Sequence, residues 1–294
     1  MIIIGGVGGI IESLTCTMVV EINKEREGFY FNFTQVFFGL GALLGPISAG
    51  YLDGLGYNWR ILFIVTSIMG IISTLLLIMF KADGIAKQEE LHVKELGKVF
   101  KFKDFNFMIL AMIFYVGAEV GVWGWISTLL KQQFNTTPFK SSLSVGVFWS
   151  FMIIGRIITA KLTDKMSLKN VILILSTGGT IFTFILAFMS SETSIWILLS
   201  LIGITYSGIW PTILAYGGKT AGKYSSSAYF IVVAAGGIGG MIFPYILGII
   251  GKAASLSITL GSISVMMLLV VILTTLTGKD GYININYDKK NVVK

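Results

Sequence analysis

Charge is scarce in this 294-residue chain. Asp, Glu, Lys and Arg make up 13% of it, where a soluble domain carries charge on about a quarter of its residues. Hydrophobic residues make up 54% and the mean hydropathy is +0.83, so water is not the main solvent of the fold. Cysteine is nearly absent: the single Cys16 excludes an internal disulfide framework and a cysteine-rich metal site, and a buried, inert thiol is its expected state. The single histidine, His92, has no second histidine with which to share a metal or a triad and is expected to be a solvated surface residue. No nucleophile with a base, no metal-ligand cluster and no phosphate loop occurs, which argues against an enzyme and implies no cofactor. The runs GGVGG and GGIGG do not complete Gly-x-Gly-x-x-Gly, and both lie inside apolar stretches.

What is present is apolar length. Nine runs are long enough to cross a bilayer, at 1–20, 29–52, 59–80, 105–130, 142–162, 171–189, 195–216, 228–250 and 256–276. Each predicts a helix, because a chain in lipid must satisfy its backbone internally and these runs lack the alternation of a barrel strand. The expected fold class is an all-α polytopic membrane protein with nine transmembrane helices.

The basic residues set the threading. Loops 23–28, 81–104, 163–170 and 217–227, the tail from 277, and Arg156 and Lys161 near the end of their run hold eighteen of the 22 Lys and Arg. The opposite loops hold Arg60, Lys131, Lys140 and Lys252. By the positive-inside rule the first set, with the C-terminus, is cytoplasmic. The net charge of +7 then reads as topology and attraction to the lipid bilayer, and not as nucleic-acid binding. An odd number of spans puts Met1 outside without the basic flank of a signal anchor, which predicts that earlier helices are missing from this chain.

Loop 81–104 separates three spans from six, and Ile85, Leu91, Leu96 and Val99 recur in it at about helical spacing, predicting a short amphipathic helix on the inner surface. The expected organisation is three helices of an N-terminal bundle in 1–80, an interdomain loop in 81–104, a six-helix C-terminal bundle in 105–276 and a cytoplasmic tail in 277–294. A repeat supports two halves. Shifting the chain by 198 positions maps Gly5, Gly39, Gly41, Pro46 and Gly50 onto Gly203, Gly237, Gly239, Pro244 and Gly248. Repeated bundles that rock about a midplane site are a common transporter plan.

Few polar groups lie inside the runs. Glu12 is near the middle of the first, where a charged acid costs about 2.5–3.5 kcal/mol and should face a cavity or a partner. Gly5, Gly8, Gly9, Glu12, Thr15 and Cys16 share its helical face. Glu119 is central in the fourth run, with Tyr115 and Trp123 one turn to either side, and Tyr206 and Trp210 repeat that spacing. Aromatic faces pack against the C–H face of a sugar while polar groups address its hydroxyls, although ordinary helix packing accounts for any one of these rings equally well. Asn32 and Gln35 share a face with Gly39 and suit either site lining or a polar clasp between helices. Arg156 and Asp164, eight residues apart at an inner loop, suit a gate or a static anchor. Pro46, Pro211 and Pro244 are expected to kink their spans beside a cavity.

The stretch from Gly5 to Gly50, with its Gly-rich run ending in Glu12 and the later Gln35, resembles the fourth and fifth helices of fucose-permease-like sugar transporters of the major facilitator superfamily. FYVGAEVGVWGW (Phe114–Trp125), GRIITAKLTDK (Gly155–Lys165) and GIWPT (Gly208–Thr212) resemble helices seven, eight and ten. The resemblance covers nearly the whole chain and implies a major-facilitator-type bundle that begins at helix four. It implies secondary transport of a small solute, a sugar, by proton symport in the cell membrane. Glu12 then matches an acid implicated in proton coupling, and Gln35 a polar sugar-site residue. Two departures bear on coupling: Cys16 replaces an asparagine four residues after the acid, and the family's other essential acid lies on a first helix that this chain does not have. The alternatives are a non-transporting remnant or partner-binding half, and a carrier of a non-sugar solute.

Overall fold

The computed structural model describes residues 26–58, 60–79 and 93–278, with positions 8, 11, 15, 18 and 19 singly. Glu12, Cys16, His92 and residues 279–294 therefore lie outside the described residues, as does most of the first expected span. Among the described residues the regular elements are all helical: α1 (Glu27–Gly54), α2 (Arg60–Met79), a 3₁₀ helix (Val93–Lys101), α3 (Lys103–Phe134), α4 (Pro138–Thr163), α5 (Leu168–Leu186), α6 (Glu192–Tyr206), α7 (Ile209–Ala221), α8 (Ser225–Ala253) and α9 (Leu256–Thr275).

Short polar signals end each apolar run. Asn135 closes α3 in the left-handed region (φ 49°), a conformation that asparagine tolerates better than most residues. Thr137 then caps α4 by accepting the Lys140 amide at 3.3 Å, with Pro138 in the first turn. Ser167 and Ser255 cap α5 and α9 in the same way. Gly222, at φ 56°, turns α7 back into α8.

The expected seventh span is not one helix. It divides into α6 and α7 at Ser207–Gly208, three residues before Pro211. Proline has no amide hydrogen for the carbonyl four residues earlier, so the ladder cannot run through this point unbroken.

α3 is the centre of the bundle and packs on α4, α7, α8 and α9. Its buried face runs Phe105, Met108, Met112, Tyr115, Ala118, Val122 and Ile126. Helices in lipid gain no hydrophobic advantage from meeting each other, so close approach through small residues matters more. Gly117 receives Phe243, Gly121 receives Leu247 and Ile263, and Gly239 brings α8 onto the Ile113 carbonyl. The outside is apolar too: Ile181, Phe184, Phe188, Ile197, Met241 and Val265 are all exposed, as a lipid-facing surface requires.

α1 rests on α4 and α7, and its contact with α4 extends to Leu43, which reaches Gly146. Gly28 meets Thr163 and Leu168, Asn32 reaches Thr212, and Gly39 meets Ile153 and Arg156. Further along α1, Leu40, Leu44 and Tyr51 are exposed. The described part of the expected amphipathic segment is the 3₁₀ helix, which lies on α3 and α8 with Val99 fully buried.

Candidate functional site

A cavity of about 380 Å³ lies between α1 and helices α3, α4, α7 and α8. Gln35 and Phe38 come from α1, Glu119 and Trp123 from α3, Trp149 and Arg156 from α4, and Trp210 from α7. On the α8 side Val233, Gly236, Gly237 and Gly240 keep the wall low, and the Trp210 indole lies against Gly236. Glu119 and Arg156 are the buried charged residues among the described residues, at 9% and 2% exposure.

Arg156 is held from several directions. Its Nε donates to the Ser207 carbonyl at 3.3 Å and its Nη1 donates to the Gln35 carbonyl on α1. The guanidinium also stands 5.7 Å from the Phe38 ring centroid and 5.8 Å from that of Trp149, within cation–π range. One side chain thus joins α4, α1 and the α6–α7 break in the cavity wall. Glu119 interacts with the Tyr115 hydroxyl one turn away, and that hydroxyl donates to the Tyr206 carbonyl at 2.9 Å.

The expected site residues separate on this geometry. Gln35, Glu119, Trp123 and Trp210 share the cavity wall. Asn32 does not line it: the residue is fully buried, donates to the Gly28 carbonyl at 2.8 Å and makes a long 3.5 Å contact to the Thr212 hydroxyl, the geometry of a clasp. Tyr206 is also behind the wall, packed on Tyr115 and Phe148 and bonded to the Thr183 hydroxyl at 3.1 Å.

Arg156 is not beside an inner loop with Asp164. Helix α4 continues to Thr163, which places Arg156 about two turns inside the span, while Asp164 sits beyond its end. Asp164 pairs with Arg26, which stands beside the start of α1 and whose guanidinium also covers Phe29 at 4.3 Å. The carboxylate holds the Arg26 guanidinium above its ordinary range, chiefly through their hydrogen bond. At the opposite end, Lys140 pairs with Glu192 and the Trp196 indole donates to the same carboxylate at 3.0 Å.

Phe38, Trp149 and the inward role of Arg156 were missed by the sequence reading. The signal for Arg156 was available, since an ionisable group inside a span is a functional candidate by default. Arg156 already lay inside the expected run 142–162, but it was grouped with the charges of the inner loop.

The architecture defines a class first: a multi-pass helical membrane protein with a polar, aromatic cavity between two groups of helices. Residues 1–244 match the model of the Major Facilitator Superfamily, and the chain belongs to that superfamily. A putative glucose/galactose transporter of Helicobacter pylori is 23% identical over 248 residues, covering 79% of this chain and 60% of the relative. The glucose/mannose transporter GlcP of Bacillus subtilis is 23% identical over 282 residues, covering 92% and 69%. This chain therefore spans about 60–70% of the length of these relatives, which are transporters and not enzymes. The crystal structure of the transporter FucP in its outward conformation superposes with a TM-score of 0.75 at 17% identity, over 90% of this chain and 72% of that one. The human organic anion transporter MFSD10 gives 0.72 at 13%, over 89% and 67%. At such identities the likeness is one of fold.

Proposed function

We propose that this chain carries the solute site of a secondary transporter for small neutral solutes of the sugar class. The observation that carries this reading is the cavity wall, in which Trp123, Trp149 and Trp210 accompany Gln35, Glu119 and Arg156. A pyranose has apolar C–H faces and a rim of hydroxyls, so indole faces and forked polar groups suit its two kinds of surface. The sugar names of the Helicobacter and Bacillus relatives support the same class.

In this reading Gln35, Glu119, Trp123 and Trp210 contact solute, joined by Phe38, Trp149 and Arg156, while Asn32 and Tyr206 brace the wall. The Arg26–Asp164 pair serves as the gate. The basic loops and the C-terminus face the cytoplasm of a cell membrane. Residues 1–80 belong to one rocking bundle and 105–276 to the other. Proton symport, with Glu12 as a carrier, follows from the resemblance to fucose-permease-like proteins and belongs to the intact transporter.

The test is equilibrium binding of radiolabelled glucose, galactose, mannose and fucose to the purified chain in lipid nanodiscs. Saturable binding of at least one hexose, weakened tenfold or more by Trp210→Ala, is the expected result. Absence of saturable binding to any hexose by helical, monodisperse protein contradicts the sugar reading. Saturable binding of a non-sugar solute alone reassigns the cavity.

A further inference from the structure

A second pocket, of about 350 Å³, lies at the start of α1, bounded by the end of α4, the start of α5 and the last turn of α7. It shares no lining residue with the solute cavity. Gly28 brings α1 into the close contact that forms it: a Cβ there would stand 2.9 Å from Thr163 and 3.0 Å from Leu168. Two cations from different parts of the bundle line it, Arg26 just before α1 and Lys219 in the last turn of α7. Asp164 is the one carboxylate among the described lining residues.

The hydrogen-bonding groups of this pocket are short of acceptors. Both Asp164 oxygens are taken by Arg26, one by Nε at 3.1 Å and the other by Nη2. The Gly28 carbonyl accepts from the Asn32 side chain at 2.8 Å, and the Thr163 hydroxyl spends its hydrogen on the Ala160 carbonyl at 2.8 Å. On the donor side, Nη1 of Arg26 is unspent. Lys219 has no acid partner among the described residues, which leaves its ammonium hydrogens without a protein acceptor. An arginine fork and an ammonium facing one space, two positive charges against one negative, suit an oxyanion with several acceptor oxygens, as a phosphate group is.

We propose that this pocket binds a phosphate group between Arg26 and Lys219, fastening the start of α1 to the end of α7. The phosphate oxygens take Nη1 of Arg26 and Nζ of Lys219. Asp164 sets the affinity, because it holds the guanidinium through its other two nitrogens while its own charge opposes the incoming anion. Under the proposed threading this end faces the cytoplasm, where dissolved phosphate esters and phospholipid headgroups both offer that chemistry. The site stands apart from the solute cavity and needs no sugar.

The test is equilibrium dialysis of radiolabelled inorganic phosphate against the full chain in a polyoxyethylene detergent, which carries neither sugar nor phosphate, at constant ionic strength in chloride. Saturable binding is expected. Lys219→Gln and Arg26→Gln should each weaken it tenfold or more, whereas Lys219→Arg, which keeps the charge, should stay within threefold. Asp164→Asn should tighten it at least threefold, because it removes the opposing carboxylate and releases Nε and Nη2 of Arg26. Lys165→Gln, an equal loss of net charge outside the pocket wall, should leave it unchanged. Dioctanoyl phosphatidic acid and glycerol phosphate then compete, presenting the same monoester with and without acyl chains. Displacement at least tenfold stronger by phosphatidic acid assigns the site to a lipid headgroup, and equal displacement assigns it to free phosphate esters. The proposal is overturned if helical, monodisperse protein shows no saturable phosphate binding, if binding survives both Arg26→Gln and Lys219→Gln, or if Lys165→Gln weakens it as much as Lys219→Gln does. It is also overturned if Lys219→Gln lowers the melting temperature without moving phosphate affinity, since Lys219 then only offsets the α7 dipole. Hexose binding is a separate measurement in the solute cavity, and its failure leaves this site standing.

Discussion

The Nε of Arg156 donates to the carbonyl of Ser207 at 3.3 Å, filling the place of the amide hydrogen that Pro211 lacks. A backbone defect on one span is thus satisfied by a charged side chain from another, and the same guanidinium reaches α1 at the Gln35 carbonyl. Inside a bilayer neither an unpaired carbonyl nor an unpaired guanidinium is tolerable, so each residue explains the other.

Arg156→Lys should lower stability by about 2–3 kcal/mol, because an ammonium cannot reproduce the fork that joins two carbonyls. Pro211→Ala returns an amide hydrogen to the Ser207 carbonyl. The double variant should therefore lose about 1 kcal/mol less than the sum of the single changes. Thermal unfolding in detergent measures the cycle, and strictly additive losses contradict the proposed substitution of one donor for the other.

Gly239→Ala should cost about 1–3 kcal/mol, since overpacking forces a helix pair apart. A Cβ there would stand 2.2 Å from the Ile113 carbonyl, which is backbone and cannot rotate away. Gly237→Ala meets nothing within 4 Å and should stay within about 0.5 kcal/mol of the parent. Melting temperatures of the two variants side by side check the contrast.

These glycines also show what the repeat could and could not reveal. The shift that maps Gly39 and Gly41 onto Gly237 and Gly239 identifies two corresponding helices, α1 and α8, yet the packing roles are exchanged. Gly39 is pressed against Ile153 and Arg156 while Gly237 is open, and Gly41 is open while Gly239 is pressed against Ile113. Hydropathy located the eight described spans because lipid demands long apolar runs, and the central polar residues Gln35, Glu119, Trp123 and Trp210 stood out against them. Which face of a span meets a neighbour was not legible, because both faces are apolar. Asn32 and Tyr206 were for that reason grouped with the site, and Phe38 and Trp149 were passed over. The break at Ser207–Gly208 was foreshadowed by Pro211, but the partners of the freed carbonyl come from distant sequence.

Acid should loosen the junction between the starts of α4 and α6. The Lys140 ammonium first, and then the Trp196 indole, hold the Glu192 carboxyl below its ordinary value. A depressed carboxyl contributes stability that is present above its unfolded pKa, about 4.3, and is lost as pH falls through the folded value. The melting temperature of the parent should accordingly fall on acidification below about pH 4.3, and Glu192→Gln should show a smaller fall. An identical pH profile in the variant contradicts this assignment.

Asp164→Asn should loosen the contact between the start of α1 and the end of α4. It removes the carboxylate that pairs with Arg26, so a cysteine at Thr163 in a Cys16→Ser background should react several-fold faster with a maleimide than in the paired parent. Exchanging the charges, with Arg26→Asp and Asp164→Arg together, should restore slow labelling. Equal rates in all three forms remove the gate from the account.

Cysteine protection at Gly237 tests the central claim, that the cavity between α1 and α8 is the solute site. Gly237 lines that cavity with open space beside it, whereas Gly261, on the lipid-facing side of α9, has equal space and no place in the wall. In a Cys16→Ser background a cysteine at 237 should react with an impermeant thiosulfonate, and a saturating hexose should slow that reaction at least fivefold while leaving a cysteine at 261 unaffected. Reaction at 237 that no sugar slows, in protein that still binds hexose, would place the solute elsewhere and contradict the account.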